Sequence, residues 1–360
     1  MSIWTYASRF SSTPREHQLT LGEGATPLVR SRSIGPQLGI KNLFFKLEMV
    51  NPTGSYKDRF AASAISDMLA QGKTRCVATS SGNTGAALAG YCAAAGIRCQ
   101  IVIVEGAPTG KLSQMLAYGA QLCRVREFGT DPETNAQVFE TLSQLGERPE
   151  AALQVSAFHY SPRGMSGVQT MGYELVEQAD MPVDHVFCPA GGGGLTLAVA
   201  RGCQELASEQ GSSPAKVHCV QPEGNDTIAS PLRNGDLQAR EVDCTTKVSG
   251  LQVANVIDGN EVIAECRPLG GTGYVVTDEQ VYTMQRRLAR EEGIFCEPAG
   301  AVALAGAAKS IALGEVQKAE MAVCLVTGSG FKDEASVQRM VADDPCPLIG
   351  AEEVAACFSR

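Results

Sequence analysis

Residues 76–104 read CVATSSGNTGAALAGYCAAAGIRCQIVIV and contain a strand, a helix and a second strand in direct succession. The apolar run 76–79 passes through a polar glycine turn into the small residues 85–95, which predict a closely packed helix that Gly96 is placed to end. A β-rich run, 99–104, follows. Because strands that alternate with helices usually pair in parallel, this stretch predicts a βαβ unit of a parallel sheet.

The same alternation continues along the chain. A helix is predicted at 111–118, and the four glycines 191–194 lead from a strand into a helix that opens near Leu195. Further buried strands are predicted at 122–125, 186–188, 217–220 and 323–326. These elements predict an α/β protein with two blocks, each built on its own sheet, and a chain of 360 residues is long enough for both cores.

Composition and charge exclude several classes of partner. The net charge of -9 argues against nucleic acid or an anionic membrane as the main partner, and no apolar stretch is long enough to span a bilayer. The 13 cysteines include no Cys-x-x-Cys pair, and the four histidines are far apart. We therefore expect reduced thiols packed as small apolar side chains, no metal site and a cytoplasmic location.

The segment 51–59, NPTGSYKDR, carries the strongest chemical signal. Its Pro and Gly impose a turn, and a helix is predicted to begin near Ser55. Lys57 then lies in the first helical turn, where the positive end of the helix dipole disfavours an ammonium. That field and burial would lower the pKa of Lys57 and provide a neutral amine for imine formation. A surface lysine that follows a turn remains the alternative.

Three polar turns follow predicted strands. The glycines 191–194 open a helix, and their backbone N–H groups could approach a phosphate, although a flexible turn would look the same. The run 80–84, SSGNT, could hold a carboxylate or could simply cap a helix. The turn 327–330, TGSG, lies at the carboxyl end of a strand, where open α/β sheets bind ligands. Together the three turns indicate one ligand cleft.

The chain resembles the fold type II pyridoxal phosphate (PLP) enzymes, and within them the threonine synthases. The resemblance extends from 21–28 (LGEGATPL) to 327–333 (TGSGFKD), and 51–59 and 293–299 (GIFCEPA) are its most specific motifs. It implies two domains, each with a mostly parallel twisted sheet flanked by helices, with PLP in the cleft between them. It further implies a homodimer with the domain boundaries 1–54 plus 165–360 (large, PLP-binding) and 55–164 (small, mobile).

The resemblance also assigns roles to individual residues. Lys57 is similar to the Schiff-base lysine that later moves protons, Asn83 to the asparagine that bonds the cofactor's 3′-oxygen, and Thr327 to the hydroxyl residue at the pyridine nitrogen. The resemblance implies contacts to the cofactor phosphate from Gly191, Gly192, Gly193, Gly194 and Leu195. It implies contacts to the substrate from Ser80, Ser81, Gly82 and Thr84 (α-carboxylate) and from Ser156 and Arg163 (substrate phosphate).

The implied reaction converts O-phospho-L-homoserine and water to L-threonine and phosphate, so the expected partners are a small, phosphorylated amino-acid substrate and, in the homodimer, a second copy of the chain. Three differences from the threonine synthase pattern leave the identity of the leaving group open. Residues 191–194 are all glycine, and Ser329 replaces a histidine of the family. The loop around Asn83 is intermediate between the sequences of the threonine synthases and the dehydratases. The alternatives are a serine/threonine ammonia-lyase and a paralogue that performs β-replacement on O-phosphoserine. A PLP-binding protein without enzyme activity is a fourth possibility.

Overall fold

The computed structural model describes residues 2–107 and 109–358. Its strands are β1 (Leu28–Arg30), β2 (Leu43–Leu47), β3 (Arg75–Thr79), β4 (Arg98–Val104), β5 (Gln121–Val125), β6 (Ala151–Leu153), β7 (His185–Pro189), β8 (Lys216–Pro222), β9 (Gly273–Val276) and β10 (Ala322–Val326). They form a six-stranded sheet in the order β1-β2-β10-β7-β8-β9 and a four-stranded sheet in the order β5-β4-β3-β6. Only β1, which pairs with β2, is antiparallel among these strands.

Helices connect the strands and cover the sheets. The α-helices are α1 (Ala7–Phe10), α2 (Ile34–Gln37), α3 (Lys57–Ala70), α4 (Asn83–Ala95), α5 (Thr109–Ala117), α6 (Pro132–Gly146), α7 (Pro162–Gln178), α8 (Gly194–Gln210), α9 (Ala229–Asn234), α10 (Gly259–Cys266), α11 (Asp278–Glu292), α12 (Pro298–Ala312), α13 (Glu334–Met340) and α14 (Val354–Cys357). Short 3-10 helices lie at Ile3–Tyr6, Arg15–His17, Glu48–Val50, Glu223–Asn225, Gly330–Lys332 and Ala351–Glu353. None of the described helices is long and apolar enough to cross a membrane.

The predicted fold class is confirmed, because two mostly parallel sheets flanked by helices are present. The helix predicted at 85–95 begins two residues earlier, at Asn83, and ends as expected at Gly96, whose φ of 67° is the left-handed conformation that glycine adopts readily. The antiparallel β1 was not predicted, because three residues carry too little periodicity to be recognised.

The two sheets divide the chain by sequence but share apolar packing. The strands of the smaller sheet all lie within residues 75–153, and those of the larger sheet lie outside that range. One apolar cluster nevertheless contains Phe60 of α3, Cys76 of β3, Val168 of α7 and Leu197 of α8. The exact domain boundaries and the mobility of residues 55–164 stay predictions.

A buried group of four charges fixes α3 against α7. The Arg59 guanidinium donates to Glu48 at 2.7 Å and to Glu174 at 2.6 Å, and Lys46 donates to Glu174 at 2.6 Å. All four side chains are excluded from solvent. Burial alone would raise the pKa of Glu174, but Arg59 and Lys46 hold it at about 2. Two positive and two negative charges thus balance inside the core and set the position of the helix that begins at Lys57.

Candidate active site

Backbone hydrogen bonds join three of the sequence motifs. The Tyr56 N–H donates to the carbonyl of Thr327 at 3.0 Å, and the Glu297 N–H donates to the carbonyl of Gly328 at 3.0 Å. The start of α3, the end of β10 and the start of α12 are therefore held side by side. Lys57, which begins α3, emerges from this junction.

The junction forms the floor of a cavity of about 730 Å³. The sheet topology explains its place, because β3, β7 and β10 all point their carboxyl ends toward it. All the predicted site residues except Arg163 line it, namely Lys57, Ser80, Ser81, Gly82, Asn83, Thr84, Ser156, Gly191, Gly192, Gly193, Gly194, Leu195 and Thr327. The structure thus brings together residues that are up to 270 positions apart (57 and 327).

The surroundings of Lys57 shift it from the ammonium form toward the neutral amine. Burial lowers its pKa to about 8, while the negative charges of Asp258 and Glu297 oppose that change. Its Nζ donates to Ser156 Oγ at 2.7 Å and lies 4.6 Å from the centre of the Tyr56 ring. The helix begins at Lys57, two residues later than predicted, and burial is the main cause of the lowered pKa.

The four glycines after β7 form a cradle at the start of α8. Gly193 has a φ of +98°, and a Cβ there would lie 2.9 Å from Val262. A Cβ on Gly194 would lie 2.9 Å from Asp258 Oδ2, and one on Gly191 would lie 3.0 Å from Val253. Side chains are therefore excluded from the backbone N–H groups at the positive end of a 17-residue helix. This donor set fits the phosphate of PLP.

Asn83 and Thr327 border the same cavity near Glu297. The Asn83 amide donates to Glu297 Oε1 at 2.6 Å, and the buried Thr327 follows β10. An amide and a hydroxyl fit the ring oxygen and nitrogen of PLP, as the resemblance implies. Glu297 was not predicted as a site residue, although it lies inside the quoted motif 293–299.

Asp258 does not line the cavity, but its charge acts on Lys57 and its contacts support the site, which sequence reasoning missed. Its carboxylate accepts from the backbone N–H groups of Phe158 (2.8 Å) and His159 (3.0 Å), and its own N–H donates to the carbonyl of Gly192 at 3.0 Å. It therefore joins the loop that contains Ser156 to the glycine cradle. A single aspartate outside any motif gives no signal in the sequence.

The predicted role of Arg163 is not supported by its position. Because α7 begins at Pro162, Arg163 lies in the first helical turn and reaches across to Asp67 on α3, with a distance of 2.7 Å between Nη1 and Oδ1. Its side chain is 68% exposed, and it does not line the cavity. Among the described lining residues, Lys57 is the only lysine or arginine.

Comparison with known proteins agrees with this geometry. Residues 19–328 match the family model described as pyridoxal-phosphate dependent enzyme. The chain belongs to this family. PLP is thus the cofactor, and the glycine cradle, Asn83 and Thr327 are the groups in this structure that fit it.

Several curated relatives within this PLP family are threonine synthases. The chain is 33% identical to the threonine synthase of Methanosarcina acetivorans, over 93% of this chain and 81% of that protein. It is 30% identical to the threonine synthase of Halalkalibacterium halodurans, over 93% of this chain and 90% of that protein. The solved threonine deaminase isoform 2 of Solanum lycopersicum shares the fold, with a TM-score of 0.75, 21% identity and coverage of 96% and 94% of the two chains.

Proposed function

We propose that this PLP enzyme converts O-phospho-L-homoserine and water to L-threonine and phosphate. The observation that carries the proposal is the convergence of Lys57, the 80–84 loop and the glycine cradle on one cavity. Threonine synthases at 30–33% identity, matched over most of their length, support the choice of reaction. When bound, PLP supplies an electron sink for the bonds at Cα of an amino acid.

In this reaction the residues that line the cavity would have separate roles. Lys57 would hold the cofactor and, once released, move protons at Cα and Cβ, for which a pKa of about 8 is suitable. Ser81, Thr84 and the adjoining N–H groups would bind the α-carboxylate and so fix the direction of the Cα–H bond. Ser156, whose hydroxyl lies 2.7 Å from Lys57 Nζ, would contact the substrate phosphate. Residues 55–164 would move as a unit when substrate binds.

The position of Arg163 favours a second candidate, a serine/threonine ammonia-lyase. A phosphate dianion is usually bound by arginine or lysine, and among the described lining residues only Lys57 provides such a group. A substrate with a hydroxyl leaving group needs no further cation. The solved threonine deaminase has the same fold, which does not by itself favour this reaction.

The deciding experiment supplies purified enzyme separately with O-phosphohomoserine, O-phosphoserine, threonine and serine, and measures phosphate, threonine and keto acid. Threonine and phosphate from the first substrate support the proposal. Keto acid from threonine as the dominant product moves the assignment to the ammonia-lyase. Lys57→Ala is the inactive control.

Two further variants test the phosphate contact. Ser156→Ala should raise KM for O-phosphohomoserine, whereas Arg163→Ala should leave kcat/KM within about threefold of the original enzyme, because its side chain points away from the cavity. A loss of phosphate-substrate activity in Arg163→Ala alone would show that this arginine does reach the substrate.

A further inference from the structure

Three cysteine thiols meet in the core of the smaller sheet. Cys76 on β3 and Cys99 on β4 are direct neighbours in the parallel register, and Cys92 on α4 packs over them. Their three Sγ atoms all lie within 4.8 Å of one another, and all three residues are buried. We call this group the three-thiol cluster.

The fold, and not the local sequence, creates the three-thiol cluster. The spacings of 16 and 7 residues match no zinc knuckle, and the sequence predicted only apolar packing for these thiols. Among the described residues no histidine or carboxylate joins the cluster, and no other group of three possible metal ligands is as close. Three Sγ atoms bonded to one atom at about 2.3 Å would be roughly 3.4–4 Å apart, so the distances between the Sγ atoms, at most 4.8 Å here, would shorten by no more than roughly 1.4 Å.

Net charge determines which ion suits the cluster. Its surroundings are the apolar core, where an uncompensated charge is costly. Three thiolates around a divalent ion such as Zn²⁺ keep one negative charge, and Zn²⁺ also requires a fourth ligand, which the described residues do not supply. Around a monovalent ion they keep two negative charges. Three thiolates around a trivalent ion give a neutral complex.

We infer that Cys76, Cys92 and Cys99 form a binding site for a trivalent thiophilic ion of the arsenite class. Binding of As(OH)₃ breaks three As–O bonds and three S–H bonds and forms three As–S bonds. Each thiol proton joins one departing hydroxyl group, so three O–H bonds form, three waters are released and nothing is oxidised or reduced.

The site is separate from the catalytic cavity. Cys76 lies near the start of β3, whereas the cavity begins at the other end of that strand, at Thr79. We therefore expect arsenic binding to leave the cofactor absorbance unchanged. Because the thiols are buried, binding should be slow and should require local opening of the smaller sheet.

The test incubates the reduced holoenzyme with arsenite and then applies native mass spectrometry and X-ray absorption at the arsenic edge. We expect one arsenic atom per chain in place of three hydrogens, surrounded by three sulfur atoms. Binding of Zn²⁺ at the same site with equal stoichiometry would overturn the charge reasoning. Arsenic bound by only two sulfur atoms, or no arsenic bound after prolonged incubation, would overturn the site.

Matched variants locate the arsenic. Cys92→Ala should lose stoichiometric binding, whereas Cys203→Ala, which removes an equally buried thiol on α8, and Cys123→Ala, which removes an exposed one, should retain it. Cofactor absorbance shows whether each variant is folded, and Cys99→Ala replaces Cys92→Ala should the latter fail to fold. Binding that depends on Cys203 and not on the three-thiol cluster would contradict the inference.

Discussion

The lowered pKa of Lys57 should be visible in how fast the protein binds its cofactor. The covalent bond to PLP forms from the neutral amine, and a pKa of about 8 in place of the ordinary 10.5 gives about 300 times more neutral amine at pH 7. Apoenzyme is mixed with PLP in a stopped-flow instrument between pH 6 and 11, and the absorbance of the bound cofactor is followed. The rate should rise about tenfold per pH unit below pH 8 and level off above it. A rate that still rises tenfold per unit near pH 10 would refute the reasoning.

Charge variants identify the cause of that pKa. The carboxylates of Asp258 and Glu297 stabilise the protonated amine, so Glu297→Gln should move the midpoint of the rate profile to lower pH. Asp258→Asn should act in the same direction. Arg163→Ala, at an exposed position outside the cavity, is the control and should leave the midpoint in place. A midpoint that moves to higher pH in either carboxylate variant would show that the carboxylate does not stabilise the protonated amine.

Three other changes have outcomes that the structure specifies. Arg59→Met should lower the free energy of unfolding by about 3–5 kcal/mol, because it leaves two buried carboxylates short of a partner. Loss of the exposed ion pair between Arg163 and Asp67 should cost at most about 1 kcal/mol, and denaturant titration measures both changes. Gly193→Ala should abolish the absorbance of bound cofactor, because the residue has a φ of +98° and the added Cβ would press on Val262. Gly211→Ala is the control and should keep that absorbance, because it lies at the other end of α8 with open space around its Cβ. Burial lowers the pKa of His218 from 6.5 to about 3, so between these pH values the unfolded chain binds a proton that the folded chain does not. The free energy of unfolding should therefore fall as the pH falls from about 6.5 toward 3. The urea midpoint of His218→Asn should depend less on pH over that range than the midpoint of the original protein.

The site could be predicted as far as local sequence and sheet geometry determine it. Polar turns that follow neighbouring strands of one parallel sheet lie at the same edge, so the turns 191–194 and 327–330, which follow β7 and β10, could be placed side by side. The turn 80–84 follows β3 of the other sheet, so its place in the same cleft depends on how the two sheets pack and was implied by the resemblance. The turn before Lys57 was predictable from its Pro and Gly, whereas the role of the lysine was implied by the resemblance. In each case a few adjacent residues set the backbone, and the fold class set the rest.

Side-chain contacts between distant segments were beyond such reasoning. Whether Arg163 faces the cavity or Asp67 depends on where α7 begins, and one residue of helix turns a side chain by about 100°. The link from Asp258 to Phe158 spans 100 positions and follows no spacing rule. The three-thiol cluster likewise depends on strand register and helix packing, neither of which appears in the spacing of its cysteines.

Within the Lys-Asp-Arg motif, which most resembles the threonine synthases, only Lys57 lines the cavity. Asp58 accepts from the Thr53 N–H at 2.7 Å and so fixes the turn that precedes Lys57, and Arg59 joins the buried charges between α3 and α7. Neither residue lines the cavity. The motif therefore explains how the lysine is held in place, and not which group leaves from the substrate. Because the two candidate reactions need the same lysine in the same place, the difference between them must lie around Ser156 and the cavity wall beside it, where a phosphate would have to find its donors.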